Sequence, residues 1–206
     1  MTTAGITPAQ QAIATLIAPA LDADTYLAGG VAVAIDVGHR TSLDLDLFVG
    51  HDFDPERLAE RLSVLAPEAR VTGRAAGTLH LEVRDVPVSI LSYRYPMLAP
   101  TRRVQQVPVP VASPQDLACM KVSAIAGRGS AKDFWDLHEM LERMVADSLA
   151  DLLALYRQKY PVEDVGHAVR SLAYFGDADA APLPNGLTPA RWQEIKKAMR
   201  RRVRTL

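Results

Sequence analysis

Four dipeptides in which a capping residue precedes proline, Thr7-Pro8, Asp54-Pro55, Ser113-Pro114 and Thr188-Pro189, mark where four helices begin. A Thr, Asp or Ser oxygen accepts from a first-turn amide, and proline fits the first helical position because that amide has no intrahelical partner. The first helix runs to about residue 21 with Ile13, Leu16 and Ile17 on one face, and the second covers residues 55–65. Around them the punctuation is that of strands. Tyr26-Leu27-Ala28 closes on Gly29-Gly30, residues 31–37 form a small-residue helix, and residues 43–49 alternate apolar with acid, the period of a half-buried strand. Further strands lie near residues 69–72, 78–83 and 86–92. The last two form a hairpin through Arg84-Asp85, a turn without the usual glycine. Beyond the proline-rich stretch Val107-Pro108-Val109-Pro110 the pattern is helical, broken near residues 127–129 and in a loop over 176–186. These elements predict an α/β (α+β) fold: a mixed-sheet core over residues 1–112, then a helical region over 113–206 that packs on it and contributes to its site.

Cys119 is the only cysteine, so no intrachain disulfide forms. No apolar run approaches the roughly 18 residues of a membrane span, and no basic-then-apolar signal pattern opens the chain. The expectation is a cytoplasmic protein with no membrane partner. The net charge of −1 hides an asymmetry: residues 196–206 hold six Lys or Arg and no acid, which leaves seventeen bases against twenty-four acids in residues 1–195, a net −7. Such a basic end suits nucleic acid or an acidic partner, but charge runs usually sit on solvated faces, and the preferred reading is a solvated helix end whose stripe Trp192, Ile195, Met199 and Val203 docks on the body.

Asp44 and Asp46 stand two apart, so on a continuous strand both carboxylates leave one face, and Leu43, Leu45 and Leu47 point into the core. Aspartate is disfavoured in strands, and like charges on one face repel. A divalent cation resolves both, and a hard cation that takes carboxylate oxygens also takes nucleotide phosphates. Residues 31–43 alone separate this dyad from Gly29-Gly30, where glycine lets backbone amides approach a ligand and a helix N-terminus favours phosphate. The order and spacing point to phosphoryl or nucleotidyl transfer with metal assistance. Each piece alone reads as a solvated strand face or a tight strand–helix turn.

In the helical half, Lys121 and Arg128 are seven apart and share a face if their helix holds through Gly127; Asp133 and Asp136, three apart, share a face of the next. A Lys–Arg pair can clamp phosphate oxygens, one as a point charge and one as a fork. Arg128 and Asp136 equally make a salt-bridge network between two helices, whereas Lys121 and Asp133 read as site residues.

Leu27-Ala28-Gly29-Gly30-Val31-Ala32 followed by His39-Arg40-Thr41-Ser42-Leu43-Asp44-Leu45-Asp46-Leu47-Phe48 resembles the polymerase-β-like nucleotidyltransferase signature, and is most similar to the AbiEii/AbiGii toxin branch. A second block supports the likeness: Asp116-Leu117-Ala118, Met120-Lys121, Arg128-Gly129-Ser130 and Lys132-Asp133-Phe134-Trp135-Asp136-Leu137. With Ser92-Tyr93-Arg94-Tyr95-Pro96, the resemblance covers roughly residues 25–160. It implies Asp44 and Asp46 as ligands of Mg²⁺ (or Mn²⁺), Gly29 and Gly30 at the nucleotide, and supporting roles there for Arg40 and Ser42. It implies further that Lys121, with Arg128, meets the phosphates, that Asp133 is in the active site, and that Asp136 supports either. The activity implied is transfer of a nucleotide from an NTP to an acceptor, as a type IV toxin or phage-defence toxin acting on tRNA and paired with an antitoxin.

Many enzymes of that superfamily place a third carboxylate on a neighbouring strand, where Val86-Pro87-Val88-Ser89-Ile90-Leu91 carries Ser89 instead. The hairpin register pairs Val83 with Val86, sets His80 opposite Ser89 and puts Glu82 diagonal to it, so Glu82 is a possible substitute ligand and a solvated outer-face residue is the other reading. The alternatives that stay open are a small-molecule or protein acceptor, and a non-catalytic module that keeps the fold.

Overall fold

The computed structural model describes residues 5–105, 107–143 and 145–206. It divides into two compact units, one of residues up to Tyr95 with Pro100–Ser113, the other of Pro96–Ala99 with Pro114–Leu206. Among the described residues, no helix is long and apolar enough to cross a membrane.

The first unit is built on a five-stranded mixed sheet in the order β1-β2-β5-β4-β3, with β1 Tyr26–Ala28, β2 Leu45–Val49, β3 Arg70–Ala75, β4 Thr78–Val83 and β5 Val86–Ser92. Among these five strands of the described residues, β2 and β5 are the neighbours that run parallel. Leu27, Leu45, Leu47, Leu79, Leu81, Val88 and Ile90 are buried. Three helices complete the unit: α1 Pro8–Ile17, prolonged by a 3-10 turn at Ala18–Ala20, α2 Gly29–Val37 and α3 Pro55–Leu65. Thr7 and Asp54 cap α1 and α3 by accepting first-turn amides, as the Thr-Pro and Asp-Pro pairs predict.

Both edges of this sheet are covered or charged, which blocks pairing with another chain. The proline-rich stretch lies along β1, where Leu27 donates its amide to Pro110 and accepts one from Ala112. On β3 the ladder shifts register between Val71 and Gly73, and Arg70 and Arg74 pair with Glu82 and Glu56.

The hairpin has the predicted register, Val83 to Val86 and His80 to Ser89. Arg84 and Asp85 both take positive φ, 49° and 62°, the conformation of a type I′ turn that matches the right-handed strand twist. Left-handed backbone costs a side-chain-bearing residue about 1–2 kcal/mol, somewhat less for Asp. Asp85→Gly is therefore expected to stabilise the chain by about 1 kcal/mol, read as a raised denaturation midpoint; an unchanged or lowered midpoint would show that Asp85 has a compensating partner.

The second unit is helical: α4 Pro114–Arg128, α5 Ala131–Glu142, α6 Leu149–Lys159, α7 Gly166–Ala173, α8 Gly176–Ala180 and α9 Pro189–Arg204. Helix α8 falls inside the stretch read as a loop; its only buried residue is Ala178, too little periodicity to announce a helix. Phe134, Phe175 and Trp192 cluster with ring centroids 4.9–5.8 Å apart. Lys159 and Asp116 are wholly buried and 2.6 Å apart. Lys159 also donates to the Pro96 carbonyl, and Asp116 accepts the Leu98 and Ala99 amides, which is why residues 96–99 belong to this unit. Burial first, then Asp116, pushes the thiol of nearby Cys119 up to about 12, so the single cysteine stays protonated.

Candidate nucleotidyl-transfer site

In the first unit the fold brings two separated sequence pieces together. Strand β1 pairs antiparallel with β2, so Ala28 faces Asp46. Immediately after Ala28 the chain turns through Gly29 at φ +67° into α2. A Cβ on Gly29 would stand 2.1 Å from Oδ2 of Asp46, and one on Gly30 would stand 2.3 Å from the Ser42 hydroxyl and 2.9 Å from an Arg40 nitrogen. The two glycines are thus the positions where a helix start packs directly against Asp46, Ser42 and Arg40. Ala28, which caps α2, makes no side-chain cap bond, so no cap side chain competes for the first-turn amides of a helix end suited to phosphate.

Asp46 is half-buried within β2, and Asp44 is half-buried just before it. The structure corrects one expectation here. Strand β2 begins at Leu45, not 43, and Leu43 is 71% exposed instead of core. Sequence alternation missed this because the segment ahead of the strand is held by something else. Gln10, only 2% exposed, donates its amide nitrogen to the carbonyls of Ser42 at 2.7 Å and Leu43 at 2.9 Å. Its own oxygen accepts the Thr7 amide in a capping box. Carbonyls that would otherwise enter a β ladder are taken by a helix side chain, and the chain delivers Asp44 from an anchored loop. Gln10 is the residue that sequence reading passed over; the spacing of Thr7 and Gln10 announces the capping box but not its second task. Replacing Gln10 by Ala strands these two carbonyls and one amide, and is expected to cost about 2–3 kcal/mol in denaturant titration. A loss below about 0.5 kcal/mol would mean that the loop holds itself.

Ser89 lies directly beside Asp46 in the parallel ladder, and His80 Nδ1 is 3.0 Å from its hydroxyl. Glu82 is opposite Pro87, with its carboxylate 2.6 Å from Arg70. Among the described residues, no group of three His, Cys, Asp or Glu side chains is placed to hold a metal ion. What the first unit offers is a pair of carboxylates. That donor set fits Mg²⁺, which is commonly held by one or two carboxylates together with substrate phosphates and water.

The second block assembles within the second unit. Helix α4 holds through Gly127 to Arg128, and Lys121, Arg128, Ser130, Asp133 and Asp136 come together. Lys121 Nζ is 3.1 Å from Asp133 and 2.7 Å from Asp136, both carboxylates having no exposed surface. Arg128 grips Asp133 through Nε and Nη2 at 2.8 and 3.0 Å, and the Ser130 hydroxyl donates to it at 2.7 Å. Burial pushes the Asp133 pKa up, but the Arg128 fork, Lys121 and Ser130 outweigh it and hold the carboxyl at about 2. The four charges of Lys121, Arg128, Asp133 and Asp136 sum to zero, and the Arg128 side chain remains 59% exposed.

Comparison with known proteins agrees with this architecture. The family model described as "Nucleotidyl transferase AbiEii toxin, Type IV TA system" matches residues 11–205. An uncharacterized protein of Aquifex aeolicus (strain VF5) is 34% identical over 183 residues, 88% of this chain and 87% of that protein. Among solved structures, MenT4, a nucleotidyltransferase toxin of Mycobacterium tuberculosis H37Rv, shares the fold with a TM-score of 0.62 at 16% identity, over 96% of this chain and 82% of its own. JHP933 of Helicobacter pylori has a TM-score of 0.51 at 15% identity, over 96% of this chain and 92% of its own. With a family model spanning nearly all of its length, the chain belongs to the AbiEii nucleotidyltransferase toxin family.

Proposed function

We propose that this protein transfers a nucleotide from an NTP to a hydroxyl of an RNA acceptor, tRNA being the class its toxin pattern implies, with Asp44 and Asp46 as the ligands of Mg²⁺ or Mn²⁺. The observation that carries the reading is the packing of Gly29 on Asp46 and of Gly30 on Ser42 and Arg40. A side chain at Gly29 would collide with the Asp46 carboxylate, and one at Gly30 with Ser42 and Arg40. Asp44 and Asp46 would hold the metal, which when bound would supply Lewis-acid polarisation of the phosphate and neutralise the charge of the departing pyrophosphate. The chain's own groups do the rest. The α2 N-terminus and the Arg40 guanidinium hold phosphate oxygens, and Ser42 offers a hydroxyl beside Gly30. In this proposal Lys121 and Arg128 neutralise phosphate charge, Asp133 orients the acceptor hydroxyl or takes its proton, and Asp136 supports Lys121 or Asp133. The setting is the cytoplasm, with an antitoxin as genetic partner.

Each NTP, labelled at the α-phosphate, is incubated with the protein, Mg²⁺, total RNA and total protein. Label in the tRNA fraction is the expected result. Label in the protein fraction or in small molecules overturns the choice of acceptor.

One observation favours a second reading, a nucleotide-binding module without catalysis: the residue beside Asp46 is Ser89, bonded to His80, where many relatives of the wider superfamily carry an acid. Calorimetry separates the two. NTP binding that needs Mg²⁺, with no label transferred to any fraction, favours the module.

A further inference from the structure

Helix α9 carries a surface that the dyad does not use. With about 3.6 residues per turn, Trp192, Ile195 and Met199 fall on one side, and all three are buried. Lys197, Arg200, Arg201 and Arg204 fall on the opposite side, within an arc of about 100°, and all four are exposed. The cations on the flanks are neutralised: Lys196 by Asp179 at 2.9 Å, Arg202 by Glu142 at 2.6 Å and Arg191 by Glu139 at 2.7 Å. Among the described residues, none of the four outward cations forms an ion pair with a carboxylate. Arg200 lies over the Phe175 ring at 5.1 Å. An open concavity of about 460 Å³ is lined by the four cations and Thr205.

Helix electrostatics do not account for this strip. The attraction of cations to a helix C-terminus falls off within the last turn, and Lys197 is about two turns from Arg204. Like charges three and four apart on a helix repel one another. The strip is also opposite in sign to the rest of the sequence, since residues 1–195 carry a net −7.

We propose that this face of α9, Lys197, Arg200, Arg201 and Arg204, docks the phosphate backbone of the acceptor RNA, a proposal that rests on the RNA-directed reading above. Nucleic acid offers a regular series of phosphates, and the strip is a regular series of cations, three of them guanidinium forks that bond phosphate in bidentate fashion. An acidic protein fits less well. Protein interfaces are anchored by aromatic and apolar side chains and are depleted in lysine, whereas the strip has no exposed apolar anchor between its charges.

The test uses the full chain and the variant Lys197→Gln/Arg201→Gln/Arg204→Gln, which spares Arg200 and its seat on Phe175. Binding of a purified total tRNA fraction is measured from 50 to 200 mM salt. Each phosphate contact contributes roughly 0.7–0.9 to the slope of log affinity against log salt, so the variant's slope is expected to be shallower by about 2–3 and its affinity at 100 mM salt at least about tenfold weaker. Its thermal midpoint and its affinity for Mg²⁺ with NTP stay unchanged. A charge-matched control, Arg57→Gln/Arg84→Gln/Arg157→Gln, keeps the wild-type slope.

An unchanged slope in the α9 variant overturns the proposal, and so does a slope lowered equally in the control, which would report net charge alone. Loss of binding to an acidic protein with tRNA affinity intact also overturns it. If the wild type labels no RNA but its tRNA affinity still depends on the strip, the docking surface stands and the transfer reading fails.

Discussion

Asp46→Asn is expected to abolish nucleotidyl transfer while leaving stability within about 1 kcal/mol of the wild type. Asparagine keeps the volume and one oxygen but removes the negative charge that, in the proposed function, would hold a divalent cation. If that cation contributes about 4 kcal/mol of transition-state stabilisation, each 1.36 kcal/mol being tenfold in rate, transfer falls by roughly 10³-fold. Asp44→Asn is expected to do the same. Gly29→Ala reaches the same end by a different route. Its methyl group would stand 2.1 Å from the Asp46 carboxylate, on a backbone at φ +67°, and the left-handed conformation adds about 1–2 kcal/mol of strain. Single-turnover transfer from a labelled NTP, run beside thermal unfolding, checks all three. A folded Asp46→Asn protein that transfers at the wild-type rate would remove the dyad from the chemistry altogether.

Gln10 bears on the same experiment. It lies one residue ahead of the segment that the family model matches, yet it holds the two carbonyls that precede Asp44. A dead Asp44 variant and a weakened Gln10 variant are distinguished by their unfolding curves: the first loses a ligand, the second the anchor of the loop that carries it.

How legible all this was in the sequence depended on whether the signal was local. The cap–proline pairs announced helix starts because capping is decided within one turn, and the structure starts helices at Pro8, Pro55, Pro114 and Pro189. The hairpin register followed from alternation on both sides of Arg84-Asp85, although that turn lacks glycine. Periodicity failed at Leu43, where a hydrogen bond from thirty-three residues away replaces strand pairing. It failed again at α8, five residues with a single buried side chain. That Ser89 would lie beside Asp46 was legible only as an expectation, since parallel pairing of β2 with β5 leaves no local trace. The partners of Lys121 were the hardest to read. Spacing put two cations on one helix and two acids on the next; it read Lys121 and Asp133 as a phosphate site and left Arg128 and Asp136 open between that site and a helix–helix tie.

The geometry gives that tie a measurable weight. Lys121→Met is expected to destabilise the protein by about 3–5 kcal/mol, the cost of leaving buried charge uncompensated. Asp133 and Asp136, neither with exposed surface through which to solvate, would both lose the ammonium at 3.1 and 2.7 Å. Removing both charges, as Lys121→Met/Asp136→Leu, is expected to recover much of the loss, because a buried pair replaced by apolar groups is often neutral. Arg128→Met should cost less, since its side chain is 59% exposed. Acid provides an independent reading. With Asp133 held at about 2 in the folded state and near 3.9 when unfolded, its contribution is fully present above about pH 4 and disappears as pH falls through 2, roughly 2.5 kcal/mol in all. Asp133→Asn should flatten that limb of the stability profile. The consequence for function is direct: an inactive Lys121→Ala protein is evidence for catalysis only if it is folded under the assay conditions. If Lys121→Met instead unfolds no more readily than the wild type, the quartet is not what holds α4 to α5, and the lysine is kept for the phosphates.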